Sequence, residues 1–282
     1  MANAKRLNRR DFGALAVATT LGCLLRPQEL LANAYLRRWL KIQRISGDVT
    51  TITAQRKRAS VGDQLTSIGH GLITGPSSTA HLAVDDGIAS LAVAQNTQMT
   101  IQQLSVLPDG GRVTVLDVPQ GQVRFQVRQF TNPNSRLELR TPSGVAAVRG
   151  TNFGISVNQE GQTNVAALEG QVEAGAQGSR VAVNPGQVSI IYPGSAPTEA
   201  QDLDRELDIR WQDYEWREEG FYMAGFVDAA NLLWVNDQQI PVDRAGYFDQ
   251  IISAVRYRRV VSIMVQNPMG ETRIHRVFPR VE

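Results

Sequence analysis

Thr141-Pro142-Ser143-Gly144-Val145-Ala146-Ala147-Val148-Arg149-Gly150-Thr151-Asn152-Phe153-Gly154-Ile155-Ser156-Val157 is the stretch on which the fold turns. Its apolar residues change parity. Val148 stands at an even position, whereas Phe153, Ile155 and Val157 stand at odd ones. Strand side chains alternate between faces with period two, so burying both sets requires a one-residue slip. Gly150 is the natural place for that slip, as a bulge that also sets how Arg149 and Thr151 point. Gly144, Ala146, Ala147 and Gly150 are small enough for neighbouring strands to approach closely.

Working outward, every signal from about Ile45 to Tyr192 is β. Short alternating or β-branched runs such as Ala80-His81-Leu82-Ala83-Val84, Arg112-Val113-Thr114-Val115-Leu116 and Asn164-Val165-Ala166-Ala167-Leu168 lie between turn sequences. The turns include Gly75-Pro76-Ser77-Ser78, Asp85-Asp86-Gly87, Pro108-Asp109-Gly110-Gly111 and Asn184-Pro185-Gly186. Many short strands at this spacing mean a sandwich, barrel or solenoid. Gly-Gln-Val recurs at Gly121, Gly170 and Gly186, each glycine marking a turn from which a strand starts. The unequal intervals exclude a strict-period repeat.

With these neighbours in place, the Val148-Arg149-Gly150-Thr151-x-Phe153 core resembles the signature of the FecR domain. The surroundings match in order: Val61-Gly62-Asp63, Ile73-Thr74-Gly75-Pro76-Ser77-Ser78, Asp86-Gly87, Asn96-Thr97, Leu168-Glu169-Gly170-Gln171-Val172 and Asn184-Pro185-Gly186-Gln187. The resemblance spans about residues 44–192. It implies a β-solenoid-like periplasmic module that binds protein partners and carries no known enzymatic chemistry. Iron-uptake regulators of this family carry a cytoplasmic anti-sigma domain ahead of a membrane span. Only about a dozen residues precede the apolar run here, so the expectation is a module used without that domain.

The 282 residues are 42% hydrophobic and 20% charged, which suits one or two globular domains and excludes a disordered chain or a multi-span membrane protein. A single cysteine excludes a disulfide framework and a multi-cysteine metal site. The formal net charge of +2 resides in the first 34 residues. Removing their five basic and two acidic groups from 29 and 27 leaves 24 against 25. A near-neutral body lacks the field that draws a protein to nucleic acid.

Those first residues run from a basic stretch (Lys5 to Arg10) to an apolar one (Phe12 to Leu25) and on to Ala32-Asn33-Ala34. The apolar run of about 14 residues is short for a span, which needs about 20. The order is that of a signal peptide cleaved after Ala34, and Asn8-Arg9-Arg10-Asp11-Phe12 resembles the twin-arginine export motif. Lipidation at Cys23, after Thr20-Leu21-Gly22, is the alternative. The expected location is periplasmic or otherwise exported, membrane-anchored if the leader stays or Cys23 is lipidated, with no membrane span in the mature form.

Beyond Pro193-Gly194-Ser195-Ala196-Pro197, the residues Leu203, Leu207, Trp211 and Tyr214 fall on one helical stripe, and Thr198-x-x-Gln201 offers a cap. Nine acids against three arginines over residues 199–219 make the predicted helix acidic. From Phe226 the β pattern returns, with turns at Asn236-Asp237, Asp243-Arg244-Ala245-Gly246 and Asn267-Pro268-Met269-Gly270. It resembles small immunoglobulin-like modules, and at about 57 residues it should lean on the helix or on the central body. The expected architecture is therefore all-β: a leader over 1–34, a lead-in over 35–43, a FecR-type solenoid or sandwich-like domain over 44–195, a linker with a helix over 196–225, and an Ig-like sandwich over 226–282.

The histidines His70, His81 and His275 are far apart and in no metal-binding spacing, and no nucleophile elbow or phosphate loop is present, so neither catalytic residues, metal nor cofactor is expected. Asp85-Asp86-Gly87 reads as a turn rather than as paired catalytic carboxylates. Arg149 and Thr151 are the candidate binding residues. Glu169 is the candidate mate of Arg149, and removing one side of such a pair at the buried limit would cost about 3–5 kcal/mol. Gly150, Phe153, Glu169 and Gly170 form the structural motif. Trp211 and Trp216, with Trp39, could stack on sugars. The expected partners are envelope proteins, or alternatively cell-wall glycan.

Overall fold

The computed structural model describes residues 38–235, 238–253 and 260–278. The expected cleavage at Ala34 and lipidation at Cys23 fall outside them. The described strands begin with β1 (Leu40–Ser46), β2 (Val49–Ile52), β3 (Arg56–Arg58), β4 (Gln64–Leu65), β5 (Gly71–Thr74), β6 (Thr79–Val84), β7 (Ala89–Val93) and β8 (Gln98–Val106). Then come β9 (Arg112–Val127), β10 (Arg136–Arg140), β11 (Val145–Val148), β12 (Asn152–Val157), β13 (Thr163–Glu169), β14 (Val172–Ala176), β15 (Ser179–Val183), β16 (Gln187–Ile191) and β17 (Gln201–Asp202). The remainder are β18 (Arg210–Arg217), β19 (Gly220–Phe226), β20 (Leu232–Val235), β21 (Gln238–Ile240), β22 (Tyr247–Ile252), β23 (Val261–Gln266) and β24 (Thr272–Val277).

Through β17 the chain builds two layers. One runs β4-β1-β6-β7-β9-β12-β13-β16-β17 and the other β3-β2-β5-β8-β9-β10-β11-β14-β15. β9 belongs to both: residues up to Gln120 pair with β8 and β10, and from Gly121 onward the strand pairs with β7 and β12. All strand pairings are antiparallel except β9–β10. The inward residues of both layers close over one core, in which Phe153 stacks on Phe125 at 5.0 Å between ring centres. Gly121 lies at the layer change of β9, whereas Gly170 and Gly186 precede β14 and β16.

The parity change near Gly150 is not a bulge inside one strand. β11 ends in one layer and β12 begins in the other, so Val148 and Phe153 enter the same core from opposite sides. Gly150 makes the crossing at φ +146, where a Cβ would also lie 2.3 Å from the Cα of Gln129. Both facts demand glycine. A true bulge sits further on: Asn152 pairs with Glu169 and Phe153 with Ala167, leaving Leu168 as the extra residue.

The expected linker helix is absent. Gln201 and Asp202 pair with β16 as β17, Asp204 Oδ1 accepts the Glu206 and Leu207 amides, and β18 pairs along β19. The helical periodicity has a local cause. The register of β18 slips between Trp211 and Asp213, so one extra residue lets Trp211 and Tyr214, three apart, share a strand face with rings 5.2 Å apart. β18-β19-β22 forms one sheet and β21-β20-β23-β24 another, with Phe221, Met223, Leu233, Phe248 and Ile263 in the core between them.

This second module leans on the first, as its small size demands. Ala166, Val188, Ile190, Leu203, Ala230 and Met269 form an apolar cluster between the two. Three side-chain amides of the layered body reach carbonyls of the module: Gln122 to Asn267 (2.7 Å), Gln162 to Ala229 (2.8 Å) and Asn164 to Ala230 (3.0 Å). The Asn267–Gly270 turn lies so close over β12 that a Cβ on Gly154 would stand 2.1 Å from the Pro268 oxygen. β12 is therefore buried on both faces.

Candidate functional site

Gly150 and Thr151 line two open grooves, of about 670 and 420 Å³. The larger is floored by the outer face of β10, β11 and β14 and walled by Leu107, Phe130 and Pro133. Its wall is fixed by local hydrogen bonds. Asp109 accepts from Asn134 Nδ2 (2.5 Å) and the Gly111 amide (3.0 Å), bonds that hold its carboxyl below the usual range. The Phe130 amide donates to the Arg149 carbonyl at 2.9 Å, tying the wall to the crossing.

The register orders the floor. Leu137 faces Val148, and Ala147 faces Glu173. Beyond the last paired residues of these registers, Arg136, Arg149 and Gln171 line the groove. The carboxylates of the adjoining rows have their own cations: Glu138 pairs with Arg140 at 2.9 Å and Glu173 with Arg180 at 2.8 Å. Among the described residues, neither Arg136 nor Arg149 makes an ion pair.

Arg149 does not meet Glu169, contrary to the sequence-based expectation. Its exposed guanidinium donates through Nη2 to the Pro133 carbonyl, and Glu169 lines the smaller groove with Gly170, Arg128 and Gln126. The crossing intervenes, because Arg149 ends a strand of one layer and Glu169 ends a strand of the other. Thr151 is 6% exposed, its methyl faces Gly170, and its hydroxyl has no hydrogen-bond partner. Trp211 and Trp216 are half-buried, packed on Phe248 and Phe221 at the margin of the second core, which leaves neither as an open stacking platform. Trp39 is half-buried and its amide donates to Asp85. His70 accepts from the Thr66 amide and His275 contacts the Leu207 carbonyl, in different parts of the chain. Among the described residues no cluster of ligating side chains could hold a metal ion.

Asp85 is the acidic residue with the richest surroundings, and sequence reasoning missed its role. It accepts from Arg38 Nε (2.9 Å), Arg112 Nη1 (3.1 Å) and the Trp39 amide (3.1 Å). Arg38 also donates to the carbonyls of Ser105 and Val113 and to the Thr114 hydroxyl. Burial pushes the Arg38 guanidinium pKa down, opposed by Asp85. The network pins the start of the described chain across both layers. The turn reading of Asp85-Asp86-Gly87 holds locally, with Asp85 at φ +48.

The groove thus coincides with the Val-Arg-Gly-Thr-x-Phe segment, and one comparison with known proteins covers the same residues. Residues 71–173 match the family model described as FecR protein. That stretch is FecR-like. The match opens at β5 and closes in β14, while β1–β4 and β15–β17 complete the layers around it. Two crystal structures of a candidate anti-sigma factor from Parabacteroides distasonis are similar at 16% and 17% identity, with TM-scores of 0.40 and 0.39. Each alignment covers 48% of this chain and 60% of the other. No curated protein matches the chain. Among the described residues no helix is long and apolar enough to cross a membrane.

Proposed function

We propose that this FecR-domain chain is an exported, non-catalytic interaction module of the cell envelope, of sensing or scaffolding type, and that the groove beside Arg149 is where its protein partner sits. The observation that carries the reading is the coincidence of place. The segment that resembles the family signature, the crossing between layers and the larger of the two open grooves all fall on residues 148–151. Guanidinium and amide groups beside the apolar Leu107, Phe130 and Pro133 bind and orient a partner. Export rests on the leader sequence, with cleavage after Ala34 giving a mature chain that starts at Tyr35.

A photo-crosslinking amino acid at position 171, inside the groove, tests the reading in intact cells, with position 55 on the β2–β3 turn as control. The expected result is one or a few envelope proteins captured from 171 and not from 55. Equal capture from both, or none, overturns the groove as a partner site. Mass spectrometry of the protein's amino terminus tests export, and a cytosolic chain with its leader intact overturns it. Co-sedimentation with purified sacculi, unaffected by substitutions in the groove, would favour the glycan reading.

A further inference from the structure

The charge pattern of the groove specifies what fits it. β10, β11 and β14 present two paired rows on their outer face. Arg140 stands with Val145 and Gly175 in the first, and Glu138 with Ala147 and Glu173 in the second. The two carboxylates of the second row are bound by Arg140 and by Arg180 of β15. Beyond the paired rows, Arg136, Arg149 and Gln171 line the groove, which brings together two cations that make no ion pair among the described residues. An anion between them would be held by charge-assisted hydrogen bonds.

We propose that this groove binds an acidic segment of a partner polypeptide, whose Asp or Glu carboxylate sits between Arg136 and Arg149 while a neighbouring apolar side chain packs on Leu107, Phe130 and Pro133. The proposal rests on the partner site argued above and names the chemistry of its occupant. Three observations support it. Arg149 is held in place by its bond to the Pro133 carbonyl, which leaves the rest of its guanidinium fork for a carboxylate. The groove, at about 670 Å³, has room for several side chains. Leu107, Phe130 and Pro133 form an apolar patch beside the two arginines, which suits a peptide with an apolar residue next to the acid.

The test pans a random twelve-residue peptide display library against the intact protein. The strongest peptides are then measured by fluorescence anisotropy on the parent, Arg136→Gln, Arg149→Gln and the double variant. The expected outcome is enrichment of Asp or Glu next to apolar residues. Affinity should fall at least tenfold in each single variant and weaken as salt rises, and Asn/Gln versions of the peptides should bind no better to the parent than to the double variant. The Arg136 side chain makes no hydrogen bond or ion pair among the described residues, so Arg136→Gln keeps the test valid even if Arg149→Gln disturbs the Pro133 loop. No enrichment, enrichment without acids, or unchanged affinity in Arg136→Gln overturns the proposal. So does arginine-dependent binding to sacculi without peptide enrichment, which would assign the groove to an anionic glycan. Capture of a protein from position 171 without any acidic preference sinks this inference alone and leaves the partner site standing.

Discussion

Gly154→Ala isolates the docking of the second module on the first. Gly154 lies in β12 without a left-handed φ, so alanine brings no backbone strain. Its Cβ would lie 2.1 Å from the Pro268 oxygen, 2.8 Å from the Pro268 carbonyl carbon and 3.0 Å from the Met269 Cα. These are backbone atoms of a turn and cannot swing aside, so the turn must retreat by about 1 Å to restore contact distance. The Gln122 bond to the Asn267 carbonyl, 2.7 Å long, would then stretch to about 3.7 Å and be lost. That loss costs about 1 kcal/mol, and overpacking adds about 1–3 kcal/mol. The expected destabilisation is about 2–4 kcal/mol in urea unfolding. Thermolysin should also cleave the connector near residues 193–203 faster and release a carboxyl-terminal fragment. Gly175→Ala is the control: a Cβ there meets nothing closer than 3.7 Å, so stability should hold or rise by up to about 1 kcal/mol. A Gly154→Ala protein within about 0.5 kcal/mol of the parent, with unchanged proteolysis, would refute the docking argument.

Three further outcomes follow from the same structure. Gly150→Ala places a side chain at φ +146 and 2.3 Å from the Gln129 backbone, so it should lower stability by about 3 kcal/mol or more, and a loss under about 1 kcal/mol by chemical denaturation would contradict the crossing geometry. Asp85→Ala leaves Arg38 buried without its carboxylate and should cost about 3–5 kcal/mol, whereas an unfolding midpoint equal to the parent's would dismiss the pin. Asp228→Asn should stabilise the protein at neutral pH. Burial, assisted by the charge of Asp204 and opposed by the Ala230 amide, raises the Asp228 pKa above its ordinary value. A raised folded pKa contributes stability below the unfolded pKa and loses it as pH rises through the folded one, so the variant's advantage should appear near pH 7 and vanish near pH 3. Melting curves at the two pH values that run parallel, or a variant less stable at pH 7, would reverse that sign.

Much of the fold was legible in the chain itself. The alternation of Ala80–Val84 and Asn164–Leu168, the turn sequences between runs, and the glycines before β14 and β16 specify strands and their ends, because face alternation and turn backbone are local properties. The family signature and the importance of Gly150 were legible for the same reason. The three-residue spacing of Trp211 and Tyr214 misled because a bulge reproduces helical spacing on a strand, and only the pairing with β19 distinguishes the two. Arg149 was identifiable as the residue to single out, but its neighbours were not.

Local sequence determined that the apolar parity changes between residues 148 and 153 and that Gly150 is where the change is made. Tertiary structure decided that the change is a passage between layers, which parts Arg149 from Glu169 and sets it in one groove with Arg136. It also gave Asp85 its arginines from 47 and 27 residues away and covered Gly154 with a turn more than a hundred positions later. Such contacts depend on strand order and register, which sum interactions over the whole chain. No window of sequence contains that sum.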